Sequence, residues 1–575
     1  MSSRGALPFA SGTGDRRTRL PRVRDPKTLL RRVARRAYLT LHRLRPRPTA
    51  SDGSSAAEVT TRLEGLTAAH DHAGAVELIT RELDPLGTDT GFLDQARRSA
   101  SRAGEPSLQA RVTRAQVAAT PTIVGPARTR LVSTLAQIEG RLLETDPAWT
   151  PTVPAVAPLP RREGGTGPLR VAHLLKIALP HRQSGYSVRT RYNLAAQADA
   201  GIEPMAVTAL DFPGGDVPDV EDVHGIRHRH LRRDTTPSNE RVDAYLDAYA
   251  TALVPALADE APDLLHVHSG ARGYEAALVG RAAAEALGLP WVYEVRGFFE
   301  AIWSQDLDRA EDAETYHRRR NTDTRCMLAA DAVITLSESM RSDIVSRGVP
   351  ADRVHVVPNG VDAAAFSPRP RRADLIEQYG LAGTFVFGYV SNLDHYREGQ
   401  EYLVDAAMSL RARGIPAVAL IVGDGTRRAE IEAHAAAVGA GDAVVFTGRV
   451  PHDEVLDHYA LLDVFVVPRV DEQAARLVTP LKPFEAMAAG LPVLVSDLPA
   501  LTEITGDGAR GESFAAGDAT ALAEALTRLA EDPELRARLA EAGRAWVETE
   551  RSWTANGHRY RAIYDAVLAR TSGSR

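Results

Sequence analysis

The chain has 575 residues, of which 44% are hydrophobic and 25% are charged, and its formal net charge is −6. This length exceeds one ordinary hydrophobic core and predicts roughly two to four domains. No stretch approaches the roughly 20 apolar residues that a membrane-spanning helix needs, and the single cysteine, Cys326, excludes internal disulfides and CxxC metal sites.

The first 50 residues are strongly basic. Between Arg16 and Arg47 there are thirteen lysines and arginines and one acid, a local charge of +12, so the rest of the chain carries −18. Basic residues interrupt this segment too often for a secretory signal, which favours a cytoplasmic location. Residues 1–25 have a disordered composition, whereas residues 26–45 set an apolar face against arginines, as in an amphipathic helix. Such a helix can lie on an anionic membrane surface, dock on the acidic body of its own chain, or bind nothing.

Residues 51–145 show five amphipathic segments that predict a run of helices. Paired helices with short turns are typical of tetratricopeptide-like repeats, but the consensus Trp, Gly and Tyr positions of those repeats are missing here. An interaction or spacer module is the interpretation that these segments support. Residues 146–168 are rich in Pro and Gly and predict a linker.

From Leu169 onward, apolar runs alternate with helical segments. This alternation predicts parallel sheets covered on both faces, hence an α/β fold of two tandem Rossmann-like domains with a central cleft at the carboxyl ends of the strands. We expect a first domain over residues 169–365, a second over 366–550 and a closing helix over 551–575. The predicted strands are LRVAHLLKI, PMAVTAL, DLLHVHS, PWVYEVRG and DAVITLS in the first set, and RVHVVPN, FVFGYVS, AVALIVGDG, AVVFTGR, VFVVPR and LPVLVSD in the second.

Common catalytic motifs are missing, since the sequence has no GxSxG, HExxH or Walker A pattern. Four other motifs follow one another along the chain: VVPNGVD (356–362), LIVGDG (420–425), VVFTGRV (444–450) and KPFEAMAAGLPVLVSD (482–497). Their order resembles glycosyltransferase family 4 over roughly residues 168–570. The resemblance implies the GT-B fold, a retaining mechanism, a nucleoside-diphosphate-sugar donor and a closing helix that returns to the first domain.

Glu485 falls in the first turn of a helix that begins near Lys482, behind two prolines that suit a helix start. The amino end of a helix attracts a diphosphate. The resemblance implies that Glu485 binds the ribose hydroxyls, as the second glutamate of the family's E-x7-E motif; the alternative is a carboxylate that only favours the helix dipole. The first glutamate of that motif is replaced by Leu477, so Thr479 or nearby backbone becomes the candidate contact to the donor sugar.

The leaving diphosphate needs positive charge to stabilise it. Where the resemblance implies an arginine for this purpose, the chain has Tyr389. We therefore assign the role to Lys482 first and to Arg397 second. The alternative is that both are solvated surface charges.

The other candidates lie at strand ends and loops. Gly185 lets backbone approach a phosphate at a helix start, or forms an ordinary turn. His268 ends a strand and is expected to face the cleft; the resemblance places it beside the reacting sugar, and the alternative is a structural histidine. Arg296 either binds an acceptor phosphate or pairs internally with Glu294. The positions expected to border the donor are Gly423, Gly425, Arg449 and Val450.

These features and the resemblance predict a glycosyltransferase that moves a sugar from a nucleoside diphosphate to an acceptor hydroxyl. The resemblance implies that the enzyme is retaining and needs no metal ion or other cofactor. Its expected setting is the synthesis of a cell-surface polysaccharide or glycoconjugate, with a lipid-linked or polysaccharide acceptor. Two alternatives stay open: another GT-B enzyme, such as a sugar-nucleotide epimerase or a glycoside phosphorylase, and a non-catalytic helical scaffold. No nucleic-acid partner is expected, because the basic segment of the first 50 residues has little aromatic surface for stacking.

Overall fold

A computed structural model describes residues 54–120, 125–160, 167–270, 272–301, 303, 310–451 and 453–573. The predicted disordered segment and basic amphipathic helix, residues 1–50, lie outside these residues. Within the described part of the chain, no helix is long and apolar enough to cross a membrane. A helical region comes first, and two α/β domains follow it.

The helical region has the five helices that the sequence predicts. Local residue chemistry sets where they begin: Ser55 and Glu58 form a capping box, Asp71 and Asp89 each accept a hydrogen bond from a free backbone N–H, and the last two helices begin at proline. Their apolar faces enclose a core of their own. The helices are α1 (Ala56–Ala68), α2 (His72–Glu82), α3 (Thr90–Arg102), α4 (Pro106–Ala119) and α5 (Pro126–Glu144).

The first α/β domain contains an eight-stranded sheet in the order β3-β4-β2-β1-β5-β6-β7-β8. All neighbouring strands are parallel except the β3–β4 hairpin. The strands are β1 (Leu169–Leu175), β2 (Ile202–Thr208), β3 (Val220–Val223), β4 (Ile226–His230), β5 (Leu264–His268), β6 (Trp291–Glu294), β7 (Ala332–Thr335) and β8 (Val354–Val356). The helices are α6 (Gly185–Asp199), α7 (Val242–Glu260), α8 (Glu275–Leu287), α9 (Glu314–Ala329) and α10 (Glu338–Ser346).

Two details of this sheet differ from the sequence prediction. The hairpin was not predicted, because VEDV and IRHRH alternate charged with apolar residues and do not form a buried apolar run. The run RVHVVPN was placed with the second set of strands, but it forms β8 and pairs with β7 through Thr335 and Val356. It therefore closes the first sheet, immediately before the chain crosses to the second domain.

The second α/β domain contains six parallel strands in the order β11-β10-β9-β12-β13-β14, and this confirms the predicted α/β class. The strands are β9 (Phe385–Val390), β10 (Ala417–Val422), β11 (Val444–Gly448), β12 (Val464–Val467), β13 (Val493–Ser496) and β14 (Glu512–Phe514). The helices are α11 (Ala373–Gln378), α12 (Gln400–Ala412), α13 (Arg428–Ala437), α14 (Val455–Ala460), α15 (Gln473–Leu477), α16 (Lys482–Ala488), α17 (Pro499–Thr505), α18 (Ala519–Glu531) and α19 (Pro533–Glu550).

The closing helix α20 (Trp553–Gly573) packs on the first domain, although it follows the second in the chain. Gly557 allows this close approach, since a Cβ there would lie 2.0 Å from the carbonyl oxygen of Ala196 in α6. Deeper along the helix, the Tyr560 hydroxyl donates to Glu294 Oε2 at 2.6 Å. The carboxyl end of the chain thus contributes to the interior of the first domain.

Residues 146–160, most of the predicted linker, lie on the surface of the first domain. The Thr152 N–H donates to Asp247 Oδ1 at 2.7 Å, and the Leu159 N–H donates to the Leu287 carbonyl at 2.8 Å. Four side chains of the segment pack on the domain's core: Trp149, Val153, Val156 and Leu159. Its composition is that of a linker, but these contacts fix its path.

The helical region also contacts the first domain directly. Glu144, the last residue of α5, is buried and accepts two hydrogen bonds from Arg272 Nη2, at 2.7 and 3.0 Å. The Tyr274 hydroxyl donates to the same carboxylate at 3.3 Å. Because Arg272 and Tyr274 lie between β5 and α8, the helical region contacts the loop that follows the strand ending at His268.

Candidate active site

Helix α16 begins where the two domains face each other. A Cβ on Gly185, the first residue of α6, would lie 3.5 Å from Leu481 Cδ1, and one on Gly297 would lie 3.8 Å from Val478 Cγ2. The segment that leads into α16 therefore lies against two glycines that follow strands of the first sheet. This is the cleft between the carboxyl ends of the two sheets, where doubly wound folds bind ligands.

Glu485 lies in the first turn of α16, as the sequence predicts. Its Oε2 accepts hydrogen bonds from the Tyr459 hydroxyl at 2.9 Å and from Lys482 Nζ at 3.0 Å. Burial raises the pKa of Tyr459 well above its ordinary value, and the Glu485 carboxylate adds to this, so the tyrosine stays a donor. Among the described residues both side-chain contacts are made to Oε2, which leaves Oε1 for a ligand.

A second group of charges lies at the ends of β9 and β12. Arg469 is nearly buried and donates to Glu398 from Nη2 at 2.9 Å and from Nε at 3.1 Å, while the Tyr389 hydroxyl donates to the same carboxylate at 2.5 Å. Burial alone would raise the pKa of Glu398, but Arg469 and Tyr389 hold it below its ordinary value. Arg397 lies 3.6 Å from Glu398 and 3.7 Å from Glu472, with 28% of its side chain exposed. Arg397 is therefore the arginine of this group that a ligand can reach.

The segment from Leu477 to Thr479 connects the domains. The Leu477 side chain packs on the core of the first domain, and its carbonyl accepts a hydrogen bond from Ser337 Oγ at 2.8 Å. Asn359 Nδ2 donates to the Thr479 carbonyl at 2.9 Å, and Thr479 is buried. The position of the missing glutamate is thus filled by an apolar contact between domains, and a contact from Thr479 to a donor sugar stays a prediction.

The glycines of the LIVGDG motif allow a close contact between two loops. Gly423 has φ +137°, and a Cβ there would lie 1.8 Å from the Ser391 carbonyl oxygen; one on Gly425 would lie 2.4 Å from the carbonyl carbon of Leu393. The Gly423 N–H donates to the Gly448 carbonyl at 3.1 Å, directly before Arg449 and Val450. These residues thus form one edge of the second domain, with Arg449 exposed and Val450 half-buried on the core. Their contact with a donor stays a prediction.

Lys176, which the sequence analysis missed, lies on the first-domain side. It directly follows β1, and its Nζ is 3.5 Å from the Gly270 carbonyl oxygen and 4.8 Å from the ring centre of Tyr186. Burial lowers the pKa of Lys176, and the nearby charge of Arg296 lowers it further. Lys176 could have been identified from the sequence, because it immediately follows a buried strand.

Arg296 is engaged inside the protein. Its guanidinium donates to Glu294 Oε1 at 2.7 Å, to Thr190 Oγ1 at 2.7 Å, to the Tyr186 carbonyl at 3.0 Å and to His268 Nδ1 at 2.6 Å. Burial alone would raise the pKa of Glu294, but Arg296 and Arg189 hold it well below its ordinary value. Of the two alternatives for Arg296, the structure contains the internal pair with Glu294, and these bonds oppose binding of an acceptor phosphate.

His268 was expected to face the cleft, but its side chain is only 3% exposed. Arg296 can only donate, so His268 Nδ1 must accept and its Nε2 must carry the proton. That proton is donated to His173 Nδ1 at 2.9 Å, and His173 Nε2 in turn donates to Gln197 Oε1 at 3.0 Å. Burial lowers the pKa of both histidines well below the ordinary value. The result is a directed chain of neutral imidazoles, and direct contact of His268 with a sugar stays a prediction.

The arrangement suits an anionic, hydroxyl-bearing ligand. Glu485 offers a free carboxylate oxygen, Lys482 and Arg397 offer partly exposed positive charge, and the amino ends of α6 and α16 face the same cleft. Sequence reasoning missed Tyr459, which donates to Glu485, and Arg469, which pairs with Glu398 beside Arg397. Arg469 is the second residue after β12 in VVPR, a strand-end signal similar to that of Lys176.

Comparison with known proteins identifies the family. Residues 184–360 match the "Glycosyl transferase 4-like domain" and residues 372–546 match "Glycosyl transferases group 1". The 2-deoxystreptamine N-acetyl-D-glucosaminyltransferase of Streptomyces fradiae is 30% identical over 358 residues, which cover 59% of this chain and 80% of the relative. The GDP-mannose-dependent alpha-(1-6)-phosphatidylinositol monomannoside mannosyltransferase of Mycolicibacterium smegmatis is 34% identical over 238 residues, 40% of this chain and 61% of the relative. The chain belongs to the group 1, 4-like glycosyltransferases.

Solved structures agree on the fold. Sucrose-phosphate synthase from Thermosynechococcus elongatus has a TM-score of 0.56 at 24% identity, covering 70% of this chain and 99% of its own. HepE of Anabaena in complex with UDP has a TM-score of 0.55 at 18% identity, covering 69% of this chain and 100% of its own. At these identities the likeness concerns the fold alone, and it confirms the predicted GT-B arrangement of two domains. The protein is a glycosyltransferase.

Proposed function

We propose that this enzyme transfers a sugar from a nucleoside diphosphate to an acceptor hydroxyl with retention of anomeric configuration, in the synthesis of a polysaccharide or glycoconjugate. The observation that carries the proposal is the first turn of α16, where Glu485 keeps one carboxylate oxygen free beside Lys482 at the domain cleft. A carboxylate binds the two hydroxyls of a ribose, and the adjacent helix start and lysine attract the phosphates. Among the relatives, the mannosyltransferase of Mycolicibacterium smegmatis is GDP-mannose-dependent, so a nucleotide donor has a precedent in the family.

In this mechanism, the acceptor oxygen bonds to the anomeric carbon on the face from which the diphosphate leaves. The bond between that carbon and the phosphate oxygen breaks, and the leaving phosphate takes the acceptor's proton. Lys482 and Arg397 stabilise the negative charge that develops on the diphosphate, without a metal ion. The enzyme's contribution is positioning and electrostatic stabilisation, for which no enzyme nucleophile is needed.

Calorimetry on the full chain tests the proposal, with UDP, GDP, ADP, dTDP and CMP as ligands in the presence of a chelator. We expect selective binding of one diphosphate, weakened by Glu485→Ala by roughly 10–100-fold, since a charge-assisted hydrogen bond contributes about 1.5–3 kcal/mol. Glu524→Ala, an exposed glutamate of α18, is the matched control and should bind like the wild type. A folded protein that binds none of these nucleotides, or a Glu485→Ala variant that binds as tightly as the wild type, would contradict the proposal.

A further inference from the structure

A cluster of two histidines and a glutamate lies in the first domain, at the hairpin edge of its sheet. His181 comes from the loop between β1 and α6, Glu221 from β3 and His230 from β4. Glu221 Oε1 lies 2.6 Å from His181 Nε2 and 3.0 Å from His230 Nε2. The side chains of His181 and Glu221 are about one-fifth exposed, and that of His230 is fully buried. One ligand atom from each of the three side chains lies within 4.8 Å of the other two, and the cluster is partly exposed through His181 and Glu221.

The hydrogen bonds around a neutral His230 leave no proton between its Nε2 and the Glu221 carboxylate. Thr208 Oγ1 donates to the Phe212 carbonyl at 2.6 Å, and a hydroxyl has one proton, so Thr208 must accept from His230 Nδ1 at 3.0 Å. The proton of a neutral His230 is then on Nδ1, and the lone pair of Nε2 faces the Glu221 carboxylate. Two acceptors 3.0 Å apart repel each other unless a cation lies between them.

The buried histidine cluster of the same domain provides a contrast. There, His268 and His173 each donate from one ring nitrogen and accept at the other, in the directed chain that begins at Arg296. His266 Nδ1 lies 2.5 Å from the Tyr564 hydroxyl, and its Nε2 lies 3.3 Å from Glu294 Oε2. In that cluster both ring nitrogens of His173 and His268 have partners, although His266 Nε2 makes no hydrogen bond among the described residues. At His230, by contrast, a lone pair is aimed at a carboxylate.

We propose that His181, Glu221 and His230 bind one divalent transition-metal ion with the ligand preferences of zinc. Two imidazoles and one carboxylate form a common zinc ligand set, and the exposed side of the cluster leaves a fourth position for water. Zinc–ligand bonds of about 2.1 Å at tetrahedral angles separate ligand atoms by about 3.4 Å, so the nitrogens of His181 and His230 would move away from the Glu221 oxygen by roughly 0.8 and 0.4 Å. His230 Nδ1, which donates to Thr208, has the outer partner that metal-bound histidines usually have.

The ion would fix a loop of the cleft. His181 lies in the loop that leads to Ser184 and Gly185, and a Cβ on Gly185 would lie 3.5 Å from Leu481 Cδ1 across the cleft. Bound between His181 and the β3–β4 hairpin, the ion would join this loop to the edge of the sheet. The proposal concerns structure and does not depend on the mechanism of sugar transfer.

Metal content and metal binding test the site on the full chain. We expect one zinc ion per chain after purification without chelator, and, once it is stripped, Zn²⁺ binding by calorimetry together with a visible Co²⁺ absorption. His181→Asn and Glu221→Gln should each weaken Zn²⁺ binding by more than about tenfold and remove the Zn²⁺-dependent rise in melting temperature. His181→Asn is the safer variant for folding, because its side chain is partly exposed.

His224→Asn is the matched control for adventitious histidine binding. His224 is exposed in the turn of the same hairpin, and its φ of +55° is one that asparagine adopts readily. It should leave Zn²⁺ binding unchanged. Binding lost equally in this control, or no stoichiometric Zn²⁺ binding by the wild type, would overturn the proposal and leave His230 with a second proton as its cation. Nucleotide affinity measured on the same samples separates this outcome from failure of the proposed transferase function.

Discussion

At the scale of single residues, Lys482 and Glu485 are in contact but have different expected tasks. Lys482 is 36% exposed at the helix start and offers a charge to phosphate, whereas Glu485 offers an acceptor to hydroxyls. A comparison of two ligands separates these tasks. A nucleoside has the ribose without the phosphates, and its diphosphate has both.

We expect Lys482→Met to weaken binding of the preferred nucleoside diphosphate by about 10–100-fold while leaving the affinity for the nucleoside nearly unchanged, because only the phosphate contact is lost. Glu485→Gln should weaken both ligands. Calorimetry with each pair measures this, with Arg413→Met, an exposed arginine of the same domain, as the control. Equal losses for nucleoside and diphosphate in Lys482→Met would show that the lysine acts only through Glu485.

The same residues show how far local chemistry predicts a site. Two prolines, a lysine and a glutamate within six positions predicted the start of α16 and the place of Glu485. For Arg296 and His268 the sequence left an internal, structural role as one of two alternatives and could not choose between them, because the choice depends on a carboxylate that also binds Tyr560, 266 positions further along the chain. Arg469 and Tyr459 were missed for the same reason. Strand ends can be found in a sequence, but the neighbours that neutralise a charge there depend on the tertiary fold.

At the scale of elements, the polarity of a strand decided which parts of the sheets were predictable. Buried parallel strands such as β1 and β10 appear as apolar runs, and ten of the eleven predicted runs form strands of the sheet to which they were assigned. The hairpin β3–β4 alternates polar and apolar residues, and β14 has only three residues, so neither was predicted. The glutamate and one of the histidines of the proposed metal cluster lie on that hairpin, which is why the cluster was not predicted either.

Asp323 of helix α9 contacts Tyr293 of β6, and its carboxyl group must carry a proton to complete the hydrogen bonds there. The Tyr293 hydroxyl lies 3.0 Å from the Gly273 carbonyl and 2.7 Å from Asp323 Oδ1, and it has one proton. Both contacts are hydrogen bonds if Asp323 is protonated and donates to Tyr293. Burial raises the pKa of Asp323 to about 7, and the charge of Glu300 adds to this. The folded protein thus holds a proton that an ordinary aspartate loses at about pH 4.

Between about pH 4 and 7 the folded state binds more protons at Asp323 than the unfolded state, so this group's contribution to stability falls as the pH rises, by up to about 1.4 kcal/mol per unit. Asp323→Asn keeps a permanent donor for Tyr293 and does not ionise. We expect the melting temperature of the variant minus that of the wild type to increase from pH 5 to pH 8, as measured by calorimetry. Asp199→Asn, at an exposed position, should show no such gain. A difference between Asp323→Asn and wild type that does not change with pH would contradict a protonated Asp323.

At the scale of the whole molecule, the two α/β domains meet through backbone and side-chain contacts around the crossover. Asn359, three residues after β8, donates to the Thr479 carbonyl in the second domain and accepts from Arg189 of the first at 3.1 Å. A second contact lies further out, where Glu503 of α17 accepts hydrogen bonds from the backbone N–H groups of Ser339 at 2.7 Å and Glu338 at 3.1 Å. Glu503 therefore places a negative charge at the amino end of α10 across the domain interface.

Removing that charge should loosen the arrangement of the two domains. Glu503→Gln keeps an acceptor but loses the charge at the helix end, a change of about 1 kcal/mol that disfavours the observed arrangement of the domains. We expect a larger radius of gyration by small-angle scattering, reversed by the preferred nucleoside diphosphate, and a KM for the donor raised several-fold with little change in kcat. Glu524→Gln is the control for a lost surface charge. Scattering identical to the wild type in the absence of nucleotide would show that the contact at α10 does not hold the domains together, and that Asn359 and the segment from Leu477 to Thr479 suffice.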